Sequence, residues 1–318
     1  MPVFDVGFRD WRGERERPWK RFWVIASTGI RLAWKNQWLR RMLFLAWLPA
    51  FYFGAMFFFF ERAMEEGVAE NAARMVIGRF PDARSTAAQV LRDGPPDRQR
   101  VWSYLLMTLF RYPQGILMVM LVGLIAPPLI SRDLRTRSHL LYFARPLGLT
   151  EYIFGKAFVV GVYLLLVSTL PALTLYILGV MLSPNISVVY DTWDLPLRIA
   201  AASMIVIVPT TAIALCFSSL TEETRYASFG WFAMWVVGWV AYTNLTVMDA
   251  GRFRRSAFDA PSRWTFVSLY HTLGEVQTWV FGFDVESDRL RNGAIILGIA
   301  TVLSICVIFR RMWLLQRK

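Results

Sequence analysis

Apolar residues occur along this chain in six long runs that are separated by polar and charged stretches. The runs occupy residues 42–60, 115–131, 157–182, 199–220, 227–248 and 293–309. None of them contains Asp, Glu, Lys, Arg or His. Each run is long enough, as a helix, to cross a bilayer core of about 30 Å. The pattern therefore predicts an all-α integral membrane protein with six transmembrane helices within residues 42–318.

The segment before the first run, residues 1–41, has the pattern of an interfacial amphipathic helix. Apolar residues recur there at spacings of three and four: Phe22, Trp23, Ala26, Ile30, Ala33, Trp34 and Trp38. Basic residues fill other positions, and such a pattern is typical of a helix lying on the inner leaflet. The charged start of the segment lacks the apolar core and cleavage site of a secretory signal, so we expect no signal peptide.

The outer segment between the first two runs, Glu61–Arg100, has mixed charge, and the apolar stretch Val101–Phe110 follows it. A single straight helix from Val101 to Ser131 would measure about 46 Å, which exceeds the bilayer core. We therefore expect Val101–Phe110 to be a lead-in that is bent or lies on the membrane surface. Pro127 and the proline after it should kink the second span and free backbone carbonyls.

A second outer segment, residues 249–292, contains the apolar stretch Trp264–Phe283. Crossing the membrane there would place the basic C-terminal end outside, against the positive-inside rule. We therefore expect a re-entrant hairpin or a surface helix pair before the last span, divided near Gly274. His271 and Glu275 lie four residues apart on one helical face. Glu275 is then either a solvated outer residue or a gate residue near the exit.

The connection between the second and third runs, residues 129–156, is short and basic. Its five cations are Arg132, Arg135, Arg137, Arg145 and Lys156. A short basic connection between two spans marks the cytoplasmic side. Leu134–Ala144 contains few helix breakers and is predicted to be a helix that ends before Pro146, since a proline disfavours the helical conformation in the residue before it.

The remainder of this connection predicts a second helix start. Gly148 allows the chain to reverse. Thr150 is expected to cap the next helix, with Glu151 in its first turn at the positive end of the helix dipole. The result would be a small helix lying across the cytoplasmic mouth of two spans.

The residues PLISRDLR, LYFARPL and EYIFGK in this connection resemble the loop between the second and third spans of ABC exporter permeases of the type-2 superfamily. In that family the loop contains a coupling helix that docks into a groove of a separately encoded ATPase. The resemblance implies six spans with both termini cytoplasmic, a pair of permease chains and two ATPase subunits. ATP and Mg would be bound by those subunits, and this chain is expected to bind no cofactor.

The same resemblance implies which residues contact the ATPase. They are Arg132, Asp133, Arg135, Tyr142, Arg145, Pro146, Glu151 and Tyr152, with Glu222 and Glu223 in the next inner turn. Three arginines, Arg132, Arg135 and Arg145, would hold the acidic rim of the ATPase or lipid phosphates. Tyr142, Pro146 and Tyr152 would shape the dock. The N-terminal helix is either a plain membrane anchor or part of the frame of that dock.

Composition and charge agree with a membrane protein. The chain has 318 residues, of which 56% are hydrophobic and 18% charged, too apolar for a soluble domain of this size. Its net charge is +12, and the segments assigned to the inside hold 20 of the 35 basic but 8 of the 23 acidic residues. That face therefore accounts for the whole excess, which suits anionic lipids of the inner (cytoplasmic) membrane, and no nucleic acid is required as a partner.

Several chemistries are not expected. The chain has no P-loop pattern, which places ATP on a partner. Its two histidines are predicted on opposite faces, and its two cysteines lie in apolar runs as packing residues, so we expect neither a metal site nor catalytic residues. Ion-coupled transporters usually carry ionisable residues in their spans. Since the six runs lack them, energy should enter through the basic cytoplasmic connection.

Candidates for a translocation pathway come from the fourth and fifth runs. Trp231, Trp235 and Trp239 recur at every fourth position and so share one helix face. They are either helix-packing or lipid-facing bulk, or they line a route for an apolar or amphipathic cargo. Thr211 in the polar fourth run and Glu275 in the outer segment complete the set of candidates.

These features predict the permease subunit of an ATP-driven exporter, coupled to a separate ATPase and not itself an enzyme. Accessory proteins on the outer side are further possible partners. Two other classes stay open. One is a membrane scaffold that anchors partner proteins, and the other is a membrane-integral enzyme that processes lipids.

Overall fold

The structure, a computed structural model, describes residues 18–77, 86–87, 89–90, 97–138, 148–253 and 264–316. Within these ranges the chain forms helices joined by turns, with no β-strand. The helices are α1 (Pro18–Trp34), α2 (Gln37–Glu65), α3 (Ala69–Ile77), α4 (Arg98–Leu109), α5 (Gly115–Ile125), α6 (Pro127–Arg135), α7 (Leu149–Leu164), α8 (Leu170–Leu182), α9 (Val188–Asp191), α10 (Leu195–Leu220), α11 (Thr224–Phe253), α12 (Leu269–Val280) and α13 (Ser287–Gln316).

Five helical stretches of the described chain are long and apolar enough to cross a membrane. They are Gln37–Glu65, Arg98–Arg135, Leu149–Leu182, Leu195–Leu220 and Ser287–Leu315. The predicted fifth span, residues 227–248, lies inside the 30-residue helix α11, which is not among the five. The chain is therefore a multi-pass helical membrane protein, and a sixth span stays a prediction.

Helix α2 shows how the packing of the bundle is encoded. Its buried apolar residues alternate at spacings of four and three: Leu39, Leu43, Ala46, Ala50, Phe53, Phe57 and Phe60. This is the heptad pattern that lets one helix pack along another. Aromatic residues of the opposite face, such as Phe44 and Phe51, are 85% and 74% exposed, which leaves them for lipid or another chain.

The second candidate span is one distorted helical stretch. α4 continues through a π-helical turn, Phe110–Gln114, into α5, and a bend at Ala126 separates α5 from α6. The π turn contains Pro113, whose ring would clash with the carbonyl four residues earlier in a regular helix. The lead-in was expected to be bent or surface-lying. Every residue from Val101 to Phe110 is buried in the protein, so the surface-lying alternative is wrong.

The third candidate span carries a matching distortion. A π-helical turn, Leu165–Thr169, separates α7 from α8, and Pro171 follows it directly. This turn packs against the π turn at Phe110–Gln114. The two candidate spans that meet at the connection between α6 and α7 are therefore irregular at the same level of the bundle.

The interior is divided into two hydrophobic cores. One core includes Leu121, Leu134, Tyr152 and Met312 and lies towards the connection between α6 and α7. The other includes Phe57, Trp102 and Leu195 and lies towards α3 and α4. At the second end Glu61, which is 2% exposed, pairs with Arg98 Nε at 3.1 Å and accepts a hydrogen bond from Trp102 Nε1 at 3.0 Å.

Helix α12 lies among the long helices α10, α11 and α13. Its 12 residues extend over about 18 Å, too short to cross a bilayer core. The expected division near Gly274 is wrong, because α12 runs continuously through this residue. Gly274 instead makes room for Arg111, whose Nε lies 3.3 Å from the position that a Cβ would take.

Helix α1 covers most of the predicted N-terminal helix but ends at Trp34, so Trp38 belongs to α2. α1 packs along α7, and its place at the membrane interface stays a prediction. Gly29 and Gly155 allow the close approach, since a Cβ on Gly29 would lie 2.6 Å from Val159 Cγ2. Tyr163 donates a hydrogen bond across the contact to the carbonyl of Ile30 at 2.8 Å. Trp23 on the outer side of α1 is 52% exposed.

Candidate functional site

The end of the second candidate span that leads into the connection between α6 and α7 is held by a serine from another helix. Pro127 and the proline after it provide no backbone N–H, and the first amides of α6 lack partners within the helix. Ser218 of α10 supplies one: the amides of Ile130 and Ser131 donate to its Oγ at 3.1 Å each. The Ser218 hydroxyl donates in turn to the Pro127 carbonyl at 2.6 Å. α6 is thus capped by α10.

Helix α11 makes similar contacts with the same region. The carbonyl of Gly123 has no helical partner, because the residue four positions later is Pro127, which has no N–H. This carbonyl instead accepts a hydrogen bond from Ser228 Oγ at 3.4 Å. Ser131 Oγ lies 3.0 Å from Thr224 Oγ1. The expected kink and freed carbonyls at these prolines are confirmed. The freed carbonyls accept hydrogen bonds from hydroxyl groups of α10 and α11.

A buried ionic cluster lies just below these contacts. Asp133 Oδ2 pairs with Lys156 Nζ at 2.7 Å and accepts a hydrogen bond from Tyr152 Oη at 2.8 Å. The Lys156 ammonium also lies 5.4 Å from the centre of the Tyr152 ring. Tyr152 is fully buried, so its side chain is bonded inside the protein, and its expected part in a dock for another protein stays a prediction. Lys156, one of the five cations of the connection, is likewise used inside the protein.

Exposed charges surround this cluster on the surface that the sequence predicts to be the inner one. Arg132 and Glu222 are exposed, and Arg135 pairs with Glu223 at 3.4 Å across the surface. The predicted residues of the first and second inner connections are therefore brought together. We call Arg132, Arg135, Glu222 and Glu223 the inner charged patch.

The predicted coupling helix, Leu134–Ala144, differs in its start. Leu134 is buried in the last turn of α6, and a turn follows in which Arg137 adopts a positive φ of 53°. A left-handed residue interrupts a regular helix, so no single helix begins at Leu134. Residues 139–147 are outside the described part of the chain, and with them the candidates Tyr142, Arg145 and Pro146.

The start of α7 was predicted in position but not in its cap. Gly148, with extended backbone, is the N-cap, so the assignment to Thr150 is wrong. Glu151 lies in the first turn, and its carboxylate accepts a hydrogen bond from the Gly148 amide at 2.9 Å. Glu151 therefore has a structural role in addition to any contact with a partner.

The pathway candidates do not form one continuous lining. Trp231 and Trp235 are buried, with ring centroids 5.5 Å apart, and Trp231 Nε1 donates to the Val119 carbonyl at 2.9 Å. Trp239 is 55% exposed on the helix surface. Thr211 is buried in α10, and its hydroxyl has no hydrogen-bond partner among the described residues. The first two tryptophans thus pack helix α11 against α5.

A small cavity of about 20 Å³ lies where the two π turns meet α10, α11 and α12. Trp235 lines it, whereas the other four pathway candidates do not. Gln114 and Arg111 of the first π turn contribute polar groups, and Ser168 belongs to the second π turn. The sequence pattern did not indicate this cavity. Arg111 lies outside the predicted spans. The structure shows that it belongs to the continuous helical stretch Arg98–Arg135.

The two ionisable residues of α12 have different surroundings. His271 stacks on Tyr242 with ring centroids 3.5 Å apart, and burial together with the Arg111 charge lowers the pKa of His271 to about 3. Burial raises the pKa of Glu275, although its carboxylate accepts a hydrogen bond from Thr265 and lies near Arg289 and Arg111. His271 is therefore neutral at pH 7. Within the described ranges no group of three metal-binding side chains occurs.

Comparison with models of protein families gives a match to the ABC-2 family transporter proteins over residues 58–258. The match covers more than half of the chain and includes the connection between α6 and α7, with the ionic cluster and most of the cavity lining. Comparison with curated proteins gives no match.

Proposed function

The chain belongs to the ABC-2 transporter family, and from this premise we propose that it is the permease subunit of an exporter driven by a separate ATPase. The proposed cargo is apolar or amphipathic, and the proposed location is the inner membrane with both termini in the cytoplasm. Two permease chains and two ATPase subunits would form the complex. ATP and Mg would be bound by the ATPase subunits alone.

The observation that carries this proposal is the coupling of the inner charged patch to the bundle. Arg132 and Arg135 belong to the last turn of α6, whose first turn is capped by Ser218 of α10. Asp133, between these arginines, is bonded to Tyr152 and Lys156 of α7. A displacement of the exposed arginines would therefore move three helices together, because buried hydrogen bonds and ion pairs are costly to break.

The mechanism that follows is a shift between two states of the permease. ATP-driven closure of the ATPase subunits would push the patch and the connection that follows it. α6, α7 and α10 would carry the displacement into the bundle and change the population of inward-facing and outward-facing states. The irregular π turns in the second and third spans lie on this route.

The alternatives have less support. A lipid-processing enzyme would need a pair of acidic residues or a metal site at an interface, and the described residues contain no group of three metal-binding side chains. A scaffold would need neither a cavity nor a bonded route from the charged patch into the bundle. The transport role also follows from the family.

The test is purification of the full chain from its native membrane, followed by measurement of the MgATP hydrolysis catalysed by proteins that co-purify with it. We expect an ATPase to be recovered in equal molar amount with the wild type. Arg132→Glu/Arg135→Glu should lose most of it, because both charges facing the partner are reversed. Arg62→Glu/Arg74→Glu is the matched control, since these two arginines are exposed beside the other hydrophobic core, at the end of the bundle away from the patch.

Two results would contradict the proposal. One is a purified wild-type complex without nucleotide hydrolysis, which would favour a scaffold, or an enzyme if lipid is turned over without ATP. The other is equal recovery of the ATPase with both double variants, which would place the contact elsewhere.

A further inference from the structure

The cavity between the π turns contains polar atoms that lack partners. Gln114 is 1% exposed, and neither atom of its side-chain amide has a hydrogen-bond partner among the described residues. The same holds for Arg111 Nε and Trp235 Nε1. Each buried polar group left without a partner costs about 1–3 kcal/mol, and native proteins contain few of them. Such a concentration at one cavity indicates that a ligand atom completes it.

The chemistry of the missing partner follows from the donors. Arg111 Nε, Trp235 Nε1 and the Gln114 amide nitrogen all donate, and among these atoms only Gln114 Oε1 accepts. The Arg111 guanidinium is permanently charged, and no ion-pair partner lies within 4 Å of it in the described part of the chain. The group that fits is an oxygen atom that carries negative charge.

The charges around Arg111 do not cancel this preference. No acidic side chain of the described residues lines the cavity. Glu275, the carboxylate of α12, lies near both Arg289 and Arg111 and accepts a hydrogen bond from Thr265, so it offsets only part of the Arg111 charge. His271 is neutral and adds no charge. Met118 and Leu273 form part of the remaining wall, so apolar surface adjoins the donors.

We propose that this cavity binds one oxygen of a phosphate or carboxylate group carried by an amphipathic molecule. Its volume of about 20 Å³ has room for about one water-sized atom, so the oxygen would enter while the rest of the group stays outside. The position between two π turns suits a ligand site, because π turns occur often at functional sites. If the chain is the exporter proposed above, this is the subsite for the head group of the cargo.

The test measures binding of radiolabelled dodecyl phosphate to the full chain in phosphatidylcholine nanodiscs, with empty nanodiscs as background. Unlabelled dodecyl phosphate should displace the label. Dodecanol and dodecyltrimethylammonium, which have the same tail and a neutral or cationic head, should not. Inorganic phosphate that displaces the label at the same concentration would support the anion site and assign it to a free anion.

Two variants identify the site within the chain. Gln114→Glu keeps the side-chain size but removes both N–H donors and adds a negative charge, and we expect at least tenfold weaker binding. Arg111→Gln should weaken binding to a similar degree. Arg291→Gln is the control, because Arg291 is exposed and pairs only with Asp288 at the protein surface; its binding should equal that of the wild type.

Displacement of the label by dodecyltrimethylammonium as effectively as by dodecyl phosphate, or unchanged binding by a folded Gln114→Glu variant, would mean that the cavity holds water only. The assay contains no ATPase. Its outcome is therefore independent of whether the ATPase partnership proposed above is correct.

Discussion

Lys156 and Asp133 are charged residues that the fold places almost out of reach of solvent. Their side chains are 10% and 14% exposed, and the Tyr152 hydroxyl donates a hydrogen bond to the carboxylate. A buried charge that loses its partner is strongly destabilising, whereas replacement of both partners by neutral groups is often tolerated. The pair therefore fixes the start of α7 to the end of α6.

This arrangement gives a prediction for single and double substitutions. Lys156→Met should lower the free energy of unfolding by about 3–5 kcal/mol, because it leaves the buried Asp133 carboxylate without the Lys156 charge. Asp133→Asn/Lys156→Met should regain most of that loss. The measurement is chemical denaturation of the purified protein in detergent, with Arg291→Gln as a control that changes stability by less than about 1 kcal/mol. An equal loss of unfolding free energy in the single and double variants would show that the ion pair does not cause the destabilisation.

The sequence indicated the charges of this region but not their pairing. Asp133 and Lys156 are 23 positions apart, and no spacing rule connects residues across a turn of unknown shape. Lys156 counted as one more cation of a basic connection, and Tyr152 as a surface residue. Both side chains are buried instead, because α6 and α7 come together in space.

At the scale of helices, the first turn of α6 is capped by a side chain from α10. Ser218 is completely buried, and its hydroxyl serves two amides and one carbonyl of α6. The two prolines that begin α6 make this external cap necessary, because they interrupt the hydrogen-bond ladder. α6 and α10 should therefore move as one body.

Ser218→Ala should uncouple the two ends of the molecule. It leaves the amides of Ile130 and Ser131 buried without this acceptor, at a cost of about 1–3 kcal/mol for each unsatisfied group. In the reconstituted complex we expect ATP hydrolysis to persist while the transport rate falls several-fold. Ser219→Ala is the matched control, since the Ser219 hydroxyl bonds only to Cys216 in its own helix. If both variants transport equally well, α10 does not take part in coupling.

Helices were predictable from the apolar runs, whereas their irregularities were not. Helix α2 extends beyond its predicted span at both ends, because a helix does not stop where the bilayer core stops. Pro113 lies in the first π turn and Pro171 follows the second, but a proline in the sequence does not by itself specify a π turn. Gly274 was interpreted as a break, since glycine weakens helices, although its role is to admit the Arg111 side chain.

For the whole molecule, charge and hydrophobic surface indicate how it lies in the membrane. The excess positive charge is concentrated in the segments assigned to the cytoplasm. Only 17% of the apolar window of α13 is buried, compared with 67% for the stretch Arg98–Arg135. The exposed side of α13 is therefore available to lipid or to a second permease chain, and the central stretch carries the cavity and the inner charged patch.

The complete account depends on one contact, that between the inner surface of this chain and an ATPase. The most direct measurement places the photocross-linker p-benzoyl-phenylalanine at Glu222, in the exposed inner turn, and irradiates intact cells. We predict an adduct with an ATP-binding subunit, whereas the same group at Arg62, exposed at the opposite end of α2, should give none. Absence of an ATP-binding protein from the Glu222 adducts, or its equal presence in adducts from Arg62, would contradict the account.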